Sequence, residues 1–138
     1  MGDRVNVRFV QEEETPAVWF YSRWGGFEMP AMLQKALAAA ESRWHDPPYG
    51  CRIVICSLIG KDNWDSKTGV GISTTVPDNA HDLLEVNFVL QQIRLFKNGP
   101  TYDEFAAEPA RAWAFSEYLE IPEVSWDALN ETINSEAA

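Results

Sequence analysis

The chain has few of the residues that usually carry chemistry. Among its 138 residues are two cysteines and two histidines. Cys51 and Cys56 stand five positions apart, which puts them on opposite faces of a strand and about 140° apart on a helix. Within one element they can neither share a metal nor close a disulfide. Both are expected to be small core residues, in keeping with a reducing compartment. His45 and His81 follow no metal-binding spacing. His45-Asp46 falls at the predicted start of a helix and His81-Asp82 in a turn, so both are expected as solvent-exposed loop histidines. No Gly-x-Ser-x-Gly nucleophile motif is present. Asp62 and Asp65 form an acid pair of the kind common on loops. We therefore expect no catalytic residue, no metal and no cofactor, and a protein that is not an enzyme.

Long apolar runs are missing too. No segment approaches the roughly 18 consecutive apolar residues that cross a bilayer. The first eight residues, Met-Gly-Asp-Arg-Val-Asn-Val-Arg, lack the apolar stretch of a signal peptide. Asn6 stands where a myristoylation signal requires Ser or Thr. The expectation is a soluble cytoplasmic protein without a membrane partner. With 46% hydrophobic residues, the chain can build a core, and its length fits one domain on the scale of roughly 100–200 residues per domain.

Basic residues are scarce: 11 against 21 acids, a net charge of −10. That argues against direct contact with nucleic acid, which needs a basic surface. The imbalance is local. From Thr101 onward nine acids face Arg111 alone, a net of −8, while residues 1–100 are nearly neutral. The chain divides into an α+β core over 1–100 and an acidic helical extension over 101–138 packed on the same domain.

Residues 3–10 alternate, with Val5, Val7 and Phe9 on one face, and predict a half-buried strand. Ala17–Ser22 predicts a second strand, joined to the first as a hairpin through an acidic turn. Pro30 suits a first helical turn, and Leu33, Leu37 and Trp44 share an apolar face over about 30–44. Cys51–Ile59 has the Ile and Val content of a buried strand, but Asp46-Pro47 and Gly60 frame a helix, which is preferred. Gly69–Val76 predicts a strand. Leu84, Val86, Phe88 and Leu90 alternate with Glu85 and Asn87 as another half-buried strand, and Gln92–Phe96 returns antiparallel to it. Thr101 with Glu104 forms a capping box that opens a helix. A further helix over about 110–119 packs through Trp113, Phe115 and Tyr118 or Leu119, and Ser125 caps a last one carrying Trp126, Leu129 and Ile133. Strands bunched in this way give an α+β fold with a mostly antiparallel sheet and two helices on one face.

Gly69-Val70-Gly71 lies inside a predicted strand and lacks a third glycine, so it is not a dinucleotide fingerprint. Two glycines in a strand mark a bulge, or close approach of another backbone or a ligand. Tyr21-Ser22-Arg23-Trp24-Gly25-Gly26 places a tryptophan at a strand end beside an arginine and two glycines. Taken alone, it reads as Trp24 capping the core at a sheet edge while the glycines make the turn. As a site, Trp24 would stack on a planar ring while Arg23 and the backbone N–H groups of Gly25 and Gly26 meet an anion.

Gly2-Asp3-Arg4-Val5-Asn6-Val7, Tyr21-Ser22-Arg23-Trp24-Gly25-Gly26, and Thr68-Gly69-Val70-Gly71-Ile72-Ser73 with Asp78-Asn79 together resemble small phage- and prophage-encoded proteins, mostly without assigned function. The likeness covers about residues 1–96. Arg23 stands where the pattern usually has His, which weakens proton transfer there. The resemblance implies an inhibitor of host defence acting in the host cytoplasm. Two binding functions follow as expectations. In the first, the protein sequesters a small nucleotide-like signal in a pocket built from Arg23, Trp24, Gly25, Gly26, Gly69 and Gly71, with the hydroxyls of Ser73 and Thr74. In the second, it is an acidic inhibitor or nucleic-acid mimic that engages a basic host protein through Glu117, Glu120 and Glu123. Either form is compatible with a homo-oligomer.

Overall fold

The computed structural model describes residues 3–13, 15–60, 69–75, 81–98 and 108–137, and for 132–137 the backbone alone. The architecture is α+β. Six strands, β1 (Val5–Val10), β2 (Val18–Ser22), β3 (Val70–Ser73), β4 (Leu83–Asn87), β5 (Gln92–Phe96) and β6 (Arg111–Ala114), form one sheet in the order β3-β2-β1-β4-β5-β6. Four adjacencies are antiparallel; the central one, β1 with β4, is parallel. The helices are α1 (Met29–Ala39), α2 (Pro47–Ile59), α3 (Phe115–Leu119) and α4 (Trp126–Ala137).

Residues paired across strands point to the same side. Phe9, Val86, Ile93 and Trp113 therefore form one row across the sheet, and Phe20, Val7, Leu84 and Leu95 the next. All four helices cover this face, contributing Leu33 and Leu37 from α1, Val54 from α2, Phe115 from α3 and Leu129 from α4 to one buried cluster. Each such side chain contributes about 1.5–3 kcal/mol when withdrawn from water. Leu33 and Leu37 are fully buried as the helical spacing requires, and Trp44 packs against the same cluster, its Nε1–H donating to Leu37 O at 3.0 Å.

Asp46-Pro47 and Gly60 bound α2 as the sequence suggests, with Gly60 at φ 81° where a side chain would be strained. The predicted helix over 30–44 is shorter: α1 stops at Ala39 and the chain turns through a 3-10 segment at Glu41–Arg43. The predicted helix over 110–119 is a correction. Its first part is β6, paired to β5 with Ile93 opposite Trp113, and α3 begins only at Phe115. The acidic third thus adds a strand to the sheet. Ser125 caps α4, its Oγ accepting from Ala128 N at 3.1 Å. The strand expected over Leu84–Leu90 ends at Asn87, where Asn87 Oδ1 accepts Leu90 N at 2.9 Å. The capping box at Thr101, the pair Asp62 and Asp65, and the residues Thr68, Asp78 and Asn79 lie outside the described residues. Cys51 is buried, and burial pushes its thiol pKa up. Cys56 is exposed, so the expectation that both cysteines are core residues fails for it. No helix among the described residues is long and apolar enough to cross a membrane.

Candidate functional site at the β2 to α1 turn

The face of the sheet opposite the helices has a different chemistry. Trp19, Arg8, Glu85 and Arg94 follow one another across β2, β1, β4 and β5. Alternation along β4 predicts a solvent-facing Glu85, yet the residue is fully buried. Arg94 Nη2 lies 3.1 Å from Glu85 Oε2 and Arg8 Nη1 3.5 Å, while Asn87 Nδ2 donates to Glu85 Oε1 at 2.9 Å. The register that seats two arginines beside one carboxylate is what permits an ionised group at this depth.

On the same face at the β3 edge, the two glycines find their reason. Tyr21 pairs with Gly71, and a Cβ on Gly71 would lie 2.5 Å from Tyr21 Cζ. A Cβ on Gly69 would lie 2.5 Å from Trp24 Cζ3. The glycines thus admit aromatic rings, an aromatic cover over strand glycines, and Gly71 is not open to the ligand expected there. The Arg23 N–H donates to Gly69 O at 2.9 Å, extending the β2–β3 pairing to the turn. Trp24 is nonetheless 61% exposed, and Arg23 beside it is also exposed. Trp24 and the glycine strand are neighbours, as a shared pocket requires.

Gly25 and Gly26 do not offer their N–H groups. Gly25 N donates to Ser22 Oγ at 3.0 Å, and Gly26 N donates to Asp3 O at 2.9 Å. Both donors are engaged within the fold, so the anion contact assigned to them is withdrawn. Ser73 is paired with Trp19 and accepts from Thr75 N at 3.0 Å through its Oγ, while Thr74 is exposed beyond the strand end.

Sequence reasoning missed the other side of the turn. His81 is half-buried, hydrogen-bonded through Nε2 to Asp3 Oδ1, and stacked on Trp126 with ring centroids 5.1 Å apart at 5°. Asp3 Oδ2 also accepts the Phe27 N–H at 2.5 Å. The hydrogen bond from His81, reinforced by Phe27, holds the Asp3 carboxyl below its ordinary range against the opposing effect of burial. Trp126 Nε1–H donates to Gly26 O at 2.7 Å, and the absent Cβ of Gly26 leaves room for His81, whose Cδ2 would lie 2.5 Å away. His45, by contrast, is exposed. Beside this stack lies a polar cavity of about 290 Å³, lined by His81, Asp82, Asn98, Trp126 and Asn130. Lys97 joins two of the lining residues, its Nζ 3.1 Å from Asp82 Oδ2 and 2.5 Å from Asn130 Oδ1. The signal for this cluster, Asp3 with His81 and Trp126, is spread over more than 120 positions of the chain.

Of the acids assigned to a partner, Glu117 acts within its own helix end, where its Oε1 accepts the Ala114 N–H at 2.7 Å and caps α3. Glu120 and Glu123 are exposed. Comparison with protein-family models, with curated proteins and with solved structures gave no match.

Proposed function

We propose that the protein is a non-catalytic binding protein that captures a small nucleotide-like ligand on Trp24, acting as a phage accessory protein that withdraws a defence signal in the host cytoplasm. One observation carries the reading: Trp24 is 61% exposed yet seated on Gly69 beside the strand bond from Arg23 N to Gly69 O. A large aromatic surface already turned to solvent can stack on a planar ring without first being uncovered. A nucleobase stacked there gains about 1–3 kcal/mol, and the Arg23 guanidinium makes a charge-assisted contact to a phosphate. The polar cavity next to His81 adjoins the same turn through Gly26 and offers the side-chain amides of Asn98 and Asn130 and the Asp82 carboxylate to sugar hydroxyls. Capture of this kind requires no general base. Calorimetric titration with a panel of nucleoside monophosphates and cyclic dinucleotides tests it. At least one is expected to bind, and Trp24→Ala to weaken it about 5- to 150-fold while the fold persists, with Ser73→Ala mattering less.

A second reading is favoured by the exposed acids of the α3–α4 corner, Glu120, Glu123 and Asp127. In it, this corner meets a basic host protein. Changing Glu120 and Glu123 to Gln would then slow association, an effect that fades as salt shortens the Debye length below about 8 Å.

A further inference from the structure

The solvent side of α1 lacks the charge expected of an acidic protein. Glu28, Ala31, Lys35, Ala38 and Ala39 are exposed and Met32 is half-buried, and at 100° per residue all six fall on one stripe. Three of them are alanines. At the N-terminal end Phe27 stands 73% exposed. Phe27, Glu28, Ala31, Met32 and Lys35 line an apolar groove of about 390 Å³ together with Val124 and Ser125.

We infer that this stripe is the contact between two copies of the chain, with their α1 helices packed antiparallel across Ala31 and Met32. The charge order is self-complementary. Glu28 and Lys35 are two helical turns apart, one on each side of the Ala31–Met32 midpoint. A two-fold axis through that midpoint sets Glu28 of one copy against Lys35 of the second, and the reverse. The alanines let the helix axes approach closely, at about 8–10 Å. Phe27 then reaches across to the Ala38–Ala39 end of the second copy, filling space that solvent occupies on a single chain. A groove meant for an unrelated basic or acidic segment would not need one cation and one anion placed symmetrically on the same helix. Ligand capture at Trp24 involves neither Glu28 nor Lys35, so pairing and capture can fail separately.

Sedimentation velocity on the full chain in the micromolar range, at physiological ionic strength, tests the arrangement. The wild type is expected to be a dimer. Glu28→Lys and Lys35→Glu each place like charges in opposition and shift it to monomer. The double variant Glu28→Lys with Lys35→Glu restores the opposite-sign pairs and with them the dimer. Phe27→Ser, at an exposed position that folding does not need, also favours monomer. A monomeric wild type overturns the inference. So does a dimer indifferent to either single reversal, or a double variant that stays monomeric while its circular dichroism matches the wild type.

Discussion

The two faces of the sheet are built from the same strands, residue alternating with residue, and are stabilised in different ways. The helix-covered face is filled by volume: Val7, Phe9, Leu84, Val86, Ile93 and Leu95 interdigitate with apolar side chains from four helices. The opposite face has a smaller buried cluster, Trp19, Leu83 and Phe96, and beside it depends on pairing. Glu85 sits between Arg8 and Arg94, and Tyr21 and Trp24 lie over glycines. On the first face a lost methylene leaves a cavity. On the second a lost partner leaves a charge, or frees a ring. The candidate site falls at the edge of the second face, where Trp24 and Arg23, just beyond the β2–β3 register, are exposed.

The largest expected effect comes from the ion cluster. Glu85→Ala leaves two arginines facing each other without their shared carboxylate and is expected to cost about 3–5 kcal/mol in urea unfolding. Leu37→Ala on the helix face should cost about 2–5 kcal/mol, depending on how far α1 collapses into the space. If Glu85→Ala proves nearly neutral while Leu37→Ala does not, the second face is not held by pairing. Gly69→Ala is smaller in stability, because the atom it meets belongs to an exposed side chain that can swing away. It should nevertheless weaken ligand capture at least as much as Trp24→Ala does, by displacing Trp24, leaving the thermal midpoint within a few degrees. Asp3→Asn should have the smallest effect, and one that depends on pH. Because the folded protein holds the Asp3 pKa below 3.8, its carboxylate stabilises the fold above that value, and the contribution is lost as pH falls through the folded pKa. The wild-type advantage over Asp3→Asn is thus expected at neutral pH and should vanish in strong acid; an advantage that grows on acidification would contradict the assignment.

Much of the helix face is legible in the sequence, because periodicity and capping are local signals. Val5, Val7 and Phe9 mark β1 by alternation, Leu33 and Leu37 mark the buried side of α1, and Asp46-Pro47 with Gly60 frame α2. The failures share a physical cause. Trp113 and Phe115 fit a strand as well as a helix by spacing, and what decides for β6 is pairing with Ile93, a contact twenty positions away. Glu85 and Asn87 read as solvent-facing because polarity shows in a sequence while the arginines that neutralise Glu85 arrive from other strands. For the site, proximity of Trp24 to Gly69 is readable from two motifs, but the role of the glycines is not, since a missing Cβ is equally consistent with a ligand and with a ring. His81 looks like a loop residue because Asp3 and Trp126, which hold it, are 78 and 45 positions away.

Trp24, seated on Gly69, is proposed as the platform for a planar anionic ligand. The most direct measurement is a calorimetric titration of wild type, Trp24→Ala and Gly69→Ala with the nucleotide that binds wild type most tightly in the panel. A 1:1 complex per chain is predicted, weakened about 5- to 150-fold by Trp24→Ala and at least as much by Gly69→Ala, with both variants folded. Binding unchanged in folded Trp24→Ala, or no binding by wild type to any member of the panel, would contradict it.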